Sequence, residues 1–204
     1  MALEIILVRH GETDWNRDKR IMGRLPIGLN RRGRSQIQAL ARHLSKAPID
    51  RIYTSPLRRA RETSILIKGR RRIPVRLAEP IAEIQYGKWV GKTFNEIEKE
   101  RAFQLYNTFP SRARVPGGET LWEAQQRAVA FVEKLRRERK SGRFLLVSHA
   151  DVIKVIVAHF LRMDLNDFQR MKIDNGAISL IRFDGSSERV LAINVRVPLT
   201  RLFS

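Results

Sequence analysis

Residues 3–8 read LEIILV, apolar at every position except Glu4, and the run ends abruptly at Arg9-His10-Gly11. A short apolar run without alternation predicts a strand covered on both faces. Residues 30–45 then place Ile37, Leu40, Ala41 and Leu44 at helical spacing, with Asn30 as the expected N-cap. A second strand is predicted over 49–53. Ser55-Pro56 is expected to open the next helix, Ser55 as its cap and Pro56 in the first turn, where a missing N–H costs nothing; the helix runs to about Lys68 and ends at Gly69.

The later chain continues the alternation. Residues 75–77 predict a short strand, and 82–114, with Gly87, Gly91, Pro110 and several aromatics expected at the surface, predict turns and short helices. Pro116-Gly117-Gly118 interrupts the chain. A long helix is expected over 119–139, its apolar stripe formed by Leu121, Ala128, Phe131, Val132 and Leu135. A buried strand over 144–147 ends in Ser148-His149, a helix follows over 152–161, and strands over 178–183 and 190–197 pair antiparallel around Asp184-Gly185. This order predicts an α/β sandwich with a mostly parallel sheet and one antiparallel edge strand.

Composition adds bounds. A chain of 204 residues, 43% hydrophobic and 30% charged, suits one globular domain. No apolar run approaches the ~20 residues that span a bilayer, and Glu4 interrupts the place where a signal peptide would need a long apolar centre. A soluble, cytoplasmic protein without membrane insertion is therefore expected. The absence of cysteine excludes disulfides, thiolate nucleophiles and Cys-ligated metals.

Charge is the unusual bulk property. Forty Lys plus Arg against 21 Asp plus Glu gives +19, with cations recurring in runs such as 31–34, 58–61, 70–72 and 136–140. Such a surface attracts polyanions, although charge runs are most often only solvated faces. No run is interleaved with aromatics and no nucleic-acid-binding motif is present, so nucleic acid is a minor alternative partner.

The candidate chemistry lies where strands end. The first strand and the strand over 144–147 each finish within two residues of a histidine, His10 and His149, and the strand over 49–53 leads directly into Ser55-Pro56-Leu57-Arg58-Arg59. Ligands of open α/β sheets bind at the carboxyl ends of strands, so neighbouring strands would bring these groups to one crevice. A lone histidine at a strand end is more often a hydrogen-bonded core residue. Clustered cations, however, repel one another unless an anion sits among them.

Taken in order, Arg9-His10-Gly11-Glu12-Thr13 with Trp15-Asn16, Gly23-Arg24, Leu29 with Gly33, Ser55 to Thr63, Glu83 to Trp89, Pro116 to Thr120 and Val147-Ser148-His149-Ala150 resemble the motifs of the histidine phosphatase superfamily, also called the phosphoglycerate mutase-like family. The resemblance covers most of the chain. It implies one three-layer α/β/α domain over 1–204, with residues 82–115 as a small lid carrying Trp89, Phe94, Phe103, Tyr106 and Phe109. Those aromatics could equally be ordinary core.

The same resemblance implies a chemistry. His10 is the expected nucleophile, giving a phosphohistidine that water hydrolyses, with its other nitrogen held by the Gly11 backbone. Arg9, Arg59 and His149, with Asn16 as a neutral donor, are expected around the phosphoryl oxygens, and Glu83 is the expected acid and base. Gly11, Gly23 and Ala150 are expected against the substrate. Arg58 rivals Arg59 by adjacency, but the family pattern selects Arg59; His43 and His159 match no motif and are read as structural. No metal or other cofactor is required.

Departures from the pattern, at Met22-Gly23-Arg24-Leu25-Pro26 and at Trp89-Val90-Gly91, bear on substrate rather than on this core. Hydrolysis is favoured over a cofactor-dependent phosphoglycerate mutase because the family's mutases carry a longer insertion between the acid and the later Gly-Gly-Glu segment. The expected substrate is a small phosphorylated metabolite: a sugar phosphate, a phosphoglycerate, phosphoserine or α-ribazole phosphate. A phospho-ligand binding module is the non-enzymatic alternative, and a monomer or homodimer is expected.

Overall fold

The computed structural model of the protein describes residues 2–197; Met1 and residues 198–204, the ends of the expected 1–204 domain, lie outside them. In chain order the regular elements are β1 (Leu3–Arg9), α1 (Asp14–Arg17), α2 (Arg31–His43), β2 (Arg51–Thr54), α3 (Arg58–Lys68), β3 (Val75–Leu77), α4 (Phe94–Ile97), α5 (Arg101–Thr108), α6 (Leu121–Glu138), β4 (Gly142–Ser148), α7 (Ala150–Phe160), β5 (Ile178–Asp184) and β6 (Ser187–Val195). One six-stranded sheet has the order β3-β2-β4-β1-β5-β6. Strands β3, β2, β4 and β1 run parallel, β5 is antiparallel to β1, and β6 is antiparallel to β5. The antiparallel pairing expected at one edge is thus the β5–β6 hairpin, and the strand that reverses is β5, one place in from that edge.

Successive side chains of a strand point to opposite faces, and β1 fills two cores in this way. Leu3, Ile5 and Leu7 pack with α6 and α7 through residues such as Ala128, Val132, Ile153 and Ile156. Ile6 and Val8 pack on the other face with α2 and α3 through Ile37, Leu40, Ala60 and Ile67. Helices on both faces explain the apolar runs Ile5–Val8 in β1 and Phe144–Val147 in β4.

Several boundaries follow the sequence signals. The Asn30 side chain accepts the Gly33 amide at 2.7 Å, capping α2 as expected. Thr120 and Glu123 form a capping box, so α6 starts after Thr120; Glu119, expected inside the helix, instead pairs with Arg127 at 2.6 Å. β6 begins three residues before the expected 190 because the turn at Gly185 is tight, with φ +61°.

The expected cap of α3 is wrong. Leu57 occupies the N-cap position without a side-chain bond, and Pro56 precedes the helix. Two bonds hold Ser55 elsewhere: its amide continues the sheet by donating to the Val147 carbonyl at 2.9 Å, and its hydroxyl lies 2.8 Å from His149 Nε2. The surface aromatics expected over 82–114 divide. Trp89 and Tyr106 are buried, whereas Phe94 and Phe109 are exposed, because Trp89 and Tyr106 pack edge-on against each other over the α7 side of the core.

Candidate active site

The sheet register brings the histidines together. In β1 and β4, Arg9 stands opposite Ser148, and the His10 amide donates to the Ser148 carbonyl at 3.1 Å. His10 and His149 therefore leave the sheet at the same level, their ring centroids 5.2 Å apart. Thr54 of β2 stands opposite Val147, so the chain after β2 emerges beside His149 and the first turn of α3 delivers Arg59 to the same place. Gly33 makes room for the loop after His10: a Cβ there would stand 2.0 Å from the Glu12 carbonyl oxygen.

His10 is buried, and its Nδ1 lies 2.7 Å from the Gly11 carbonyl oxygen. A carbonyl only accepts, so Nδ1 carries the proton and Nε2 keeps its lone pair, toward which Arg59 Nε donates at 3.2 Å. Burial, then the charges of Arg59 and Arg9, hold the His10 pKa well below the ordinary value, with the Gly11 bond opposing them. The ring is neutral near pH 7, with its lone pair at Nε2.

Arg59 is wholly buried and fixed by the carbonyls of Gly23 at 2.8 Å and Leu25 at 3.3 Å. Gly23, with φ +50°, supplies that acceptor from a left-handed turn where a Cβ would meet Val90 at 2.6 Å. Arg58 points away: it is exposed and pairs with Glu62 at 2.8 Å. Arg9 donates to the Ile173 carbonyl at 2.6 Å, and its Nε is buried without a partner. His149 Nδ1 is likewise buried and unpartnered. Buried donors of this kind are costly unless something polar satisfies them.

Glu83 stands among these cations, its Oε2 3.7 Å from Arg59 Nη2 and 3.6 Å from His149 Nδ1, while Oε1 accepts the Ile84 amide at 3.0 Å. Burial pushes its carboxyl up; Arg59 opposes this, Asp151 adds to it, and the result is a pKa raised to about 7. The His149 imidazole is held well below its ordinary pKa by burial and by the charges of Arg59 and its neighbours.

A cavity of about 530 Å³ opens over this cluster. Arg9, His10, Asn16, Gly23, Glu83 and Ala150 line it; Arg59, His149 and Gly11 sit behind that lining. Asn16 Oδ1 is already used, accepting from the Thr13 amide at 3.1 Å and from Asn175 Nδ2 at 3.2 Å, which leaves its own amide hydrogens for a ligand. The two unmatched histidines lie apart: His43 bonds the Ala39 carbonyl on α2, and His159 packs on Phe160.

Four contributors escape the motif reading. Ser55 holds His149, and Asn175 bonds both the His10 carbonyl, at 3.1 Å, and Asn16. Asp151 accepts the hydroxyls of Tyr86 at 2.7 Å and Tyr106 at 3.0 Å and pairs with Lys154 at 3.3 Å. The only sequence signal for Asp151 and Lys154 is their i,i+3 spacing just after His149.

A neutral imidazole aligned beside buried guanidiniums, with a protonatable carboxyl between them, defines an enzyme that handles phosphoryl groups. The chain belongs to the histidine phosphatase superfamily: the model of its branch 1 matches residues 5–196. Phosphoserine phosphatase 1 of Hydrogenobacter thermophilus is 30% identical over 203 residues, covering 98% of this chain and 96% of that protein. Phosphoglycerate mutase-like protein 4 of Arabidopsis thaliana is 32% identical over 89% of this chain and 80% of its own. The solved structure of Bacillus stearothermophilus YhfR superposes with a TM-score of 0.88 at 31% identity, covering 94% of this chain and 96% of that one. The sheet and its helical layers are those of the phosphoglycerate mutase-like fold, and the enzyme class is that of a phosphatase. Among the described residues no helix is long and apolar enough to cross a membrane.

Proposed function

We propose that the protein hydrolyses phosphomonoesters of small metabolites, without a metal, through a phosphohistidine on His10. The observation that carries this reading is the His10 tautomer, whose Nδ1–H donates to the Gly11 carbonyl and whose Nε2 keeps the lone pair for attack. Nε2 attacks phosphorus and the ester P–O bond breaks. The leaving oxygen takes the Glu83 proton, so the alcohol departs neutral. Glu83, now a carboxylate, accepts a proton from water as that water attacks the phosphohistidine, which restores His10, the protonated carboxyl and inorganic phosphate.

Arg9, Arg59, His149 and the Asn16 amide bind the phosphoryl oxygens; this supplies an acceptor to the unpartnered Arg9 Nε, and to His149 Nδ1 in the tautomer in which Ser55 donates to Nε2. Gly23 and Ala150 line the cavity against the substrate, Gly11 acts from behind through its bond to His10, and residues 82–115 cover the substrate. Metal independence is supported by the buried guanidiniums of Arg9 and Arg59 beside His10, which supply the positive charge that a metal ion would otherwise bring. The short segment between Glu83 and Gly117 supports hydrolysis over a mutase reaction. Acid-labile, alkali-stable phosphate on the peptide containing His10, trapped by quenching turnover in the presence of chelator, is the expected result. Turnover without such a species, or its loss with chelator, sinks the reading.

The pH dependence follows from Glu83. Its protonated form is present below about pH 7 and is lost above it, so kcat on alkyl phosphates falls on the alkaline side of that value. Glu83→Gln lowers kcat for an alkyl phosphate by about 10²–10³-fold and removes the alkaline limb, while an aryl phosphate, whose leaving group needs no proton, is hit far less. Equal losses on both ester classes would refute the acid role. The raised pKa also lowers stability as pH rises from the ordinary 4.5 through about 7, because in that window the unfolded chain releases this proton while buried Glu83 keeps it.

A further inference from the structure

We propose that the alcohol released by this enzyme is an uncharged, ring-bearing one, and that amino-acid and carboxylic-acid phosphates are the poorer substrates. The inference rests on the hydrolase reading above and concerns the outer half of the same cavity. There, beyond Arg9 and Glu83, the charged lining consists of Arg20, Lys154, Glu98 and Asp151, two cations and two anions.

Lys154 is not available to a carboxylate, and Arg20 is exposed at the rim, where water screens its charge. Lys154 is mostly buried, pairs with Asp151 at 3.3 Å, donates to Gln169 at 2.9 Å and stands over the Phe168 ring. Arg20 donates to the Gly91 carbonyl and lies over the Trp15 ring. The buried anion is equally closed to an ammonium group: Asp151 takes Lys154 on one oxygen and both tyrosine hydroxyls on the other. Glu98 is exposed at the rim, where water screens it. A substrate with a second charged group would lose its hydration inside the cavity and find no free counter-charge among the buried groups there.

The remaining lining is what a neutral ring requires. Trp89, Phe94, Phe103 and Tyr106 form an apolar wall; the Phe94 and Phe103 rings are inclined by only 25°, and Phe94 is 47% exposed, a face left for a flat partner. Gln169 Nε2 donates to Asn107 Oδ1 at 3.4 Å and Asn107 Nδ2 to the Phe103 carbonyl at 2.9 Å, which leaves each amide one N–H for a hydroxyl at the same level. The volume of about 530 Å³ leaves room for a ring beyond the phosphate. The +19 surface gathers anions in general. The wall decides which of them fit.

The test holds leaving-group chemistry constant by using primary alkyl phosphates: adenosine 5′-monophosphate and glucose 6-phosphate against phosphoserine and 3-phosphoglycerate. Wild-type kcat/KM and calorimetric affinity for the His10→Ala variant are both measured. The cyclic pair is expected to lead by about tenfold or more in each. Phe94→Ala narrows that lead for adenosine 5′-monophosphate, and Asn107→Lys, which adds an unpaired cation at an exposed lining position, improves 3-phosphoglycerate relative to it. Phosphoserine or 3-phosphoglycerate matching the cyclic pair, or no response to Asn107→Lys, overturns the inference. Preserved binding order without wild-type turnover would instead overturn the hydrolase reading alone.

Discussion

His10→Ala lowers kcat/KM for any phosphomonoester by about 10⁵-fold, the scale seen when a covalent nucleophile is removed and only oriented water remains. No neighbour can substitute. His149, the other imidazole, is engaged at Nε2 by the Ser55 hydroxyl, and its Nδ1 faces Glu83 at 3.6 Å, so neither nitrogen lies where His10 Nε2 does. The variant also leaves the Gly11 carbonyl and Arg59 Nε without their imidazole partner, a loss of about 1–3 kcal/mol per stranded buried group. Activity is therefore compared only after a thermal melt shows the variant folded, and inorganic phosphate is titrated to show that the cationic cluster still binds. A folded variant retaining activity within tenfold of wild type would rule out His10 as the nucleophile.

Arg59→Lys is the second large effect, a loss of about 10²–10³-fold in kcat/KM despite the conserved charge. The guanidinium fork is what the site uses: one edge fixed on the carbonyls of Gly23 and Leu25, Nε directed at His10 Nε2. A lysine ammonium cannot span those acceptors and the nucleophile together. Arg59→Ala separates charge from shape. Removing the cation lets the His10 pKa rise toward its ordinary value, so the imidazole begins to protonate at mildly acidic pH and an acid limb enters the rate profile, whereas Arg59→Lys leaves that limb where it was. Superimposable profiles for wild type and Arg59→Ala would contradict this coupling.

The legible part of this protein was whatever depends on local pattern. Uninterrupted apolar runs marked β1 and β4 as doubly covered strands, and their ends located His10 and His149; Asn30 announced α2 through a side-chain cap that forms as expected. The illegible part depends on partners far along the chain. Ser55 has the local signature of a helix cap, but a ring 94 residues away claims its hydroxyl. Asn175 reaches His10 from 165 residues away, and no spacing rule connects them. Residues 82–114 hold polar and aromatic positions without a clean period, so Trp89 and Phe94 looked alike, although the first is buried by Tyr106 and Phe103 and the second is open.

The distance between the two imidazoles is set by a backbone ladder, Arg9 opposite Ser148 in adjacent parallel strands, while the outer cavity wall comes largely from short helices between Glu83 and Asn107 and from α7. A one-residue slip of that ladder would turn every side chain of β1 to the wrong face, so the register tolerates no shift. The helical wall carries no such constraint. Chemistry and choice of substrate thus reside in parts that can mutate separately, and a lineage with this architecture can acquire new metabolites by editing α4 and α5 without rebuilding the reaction.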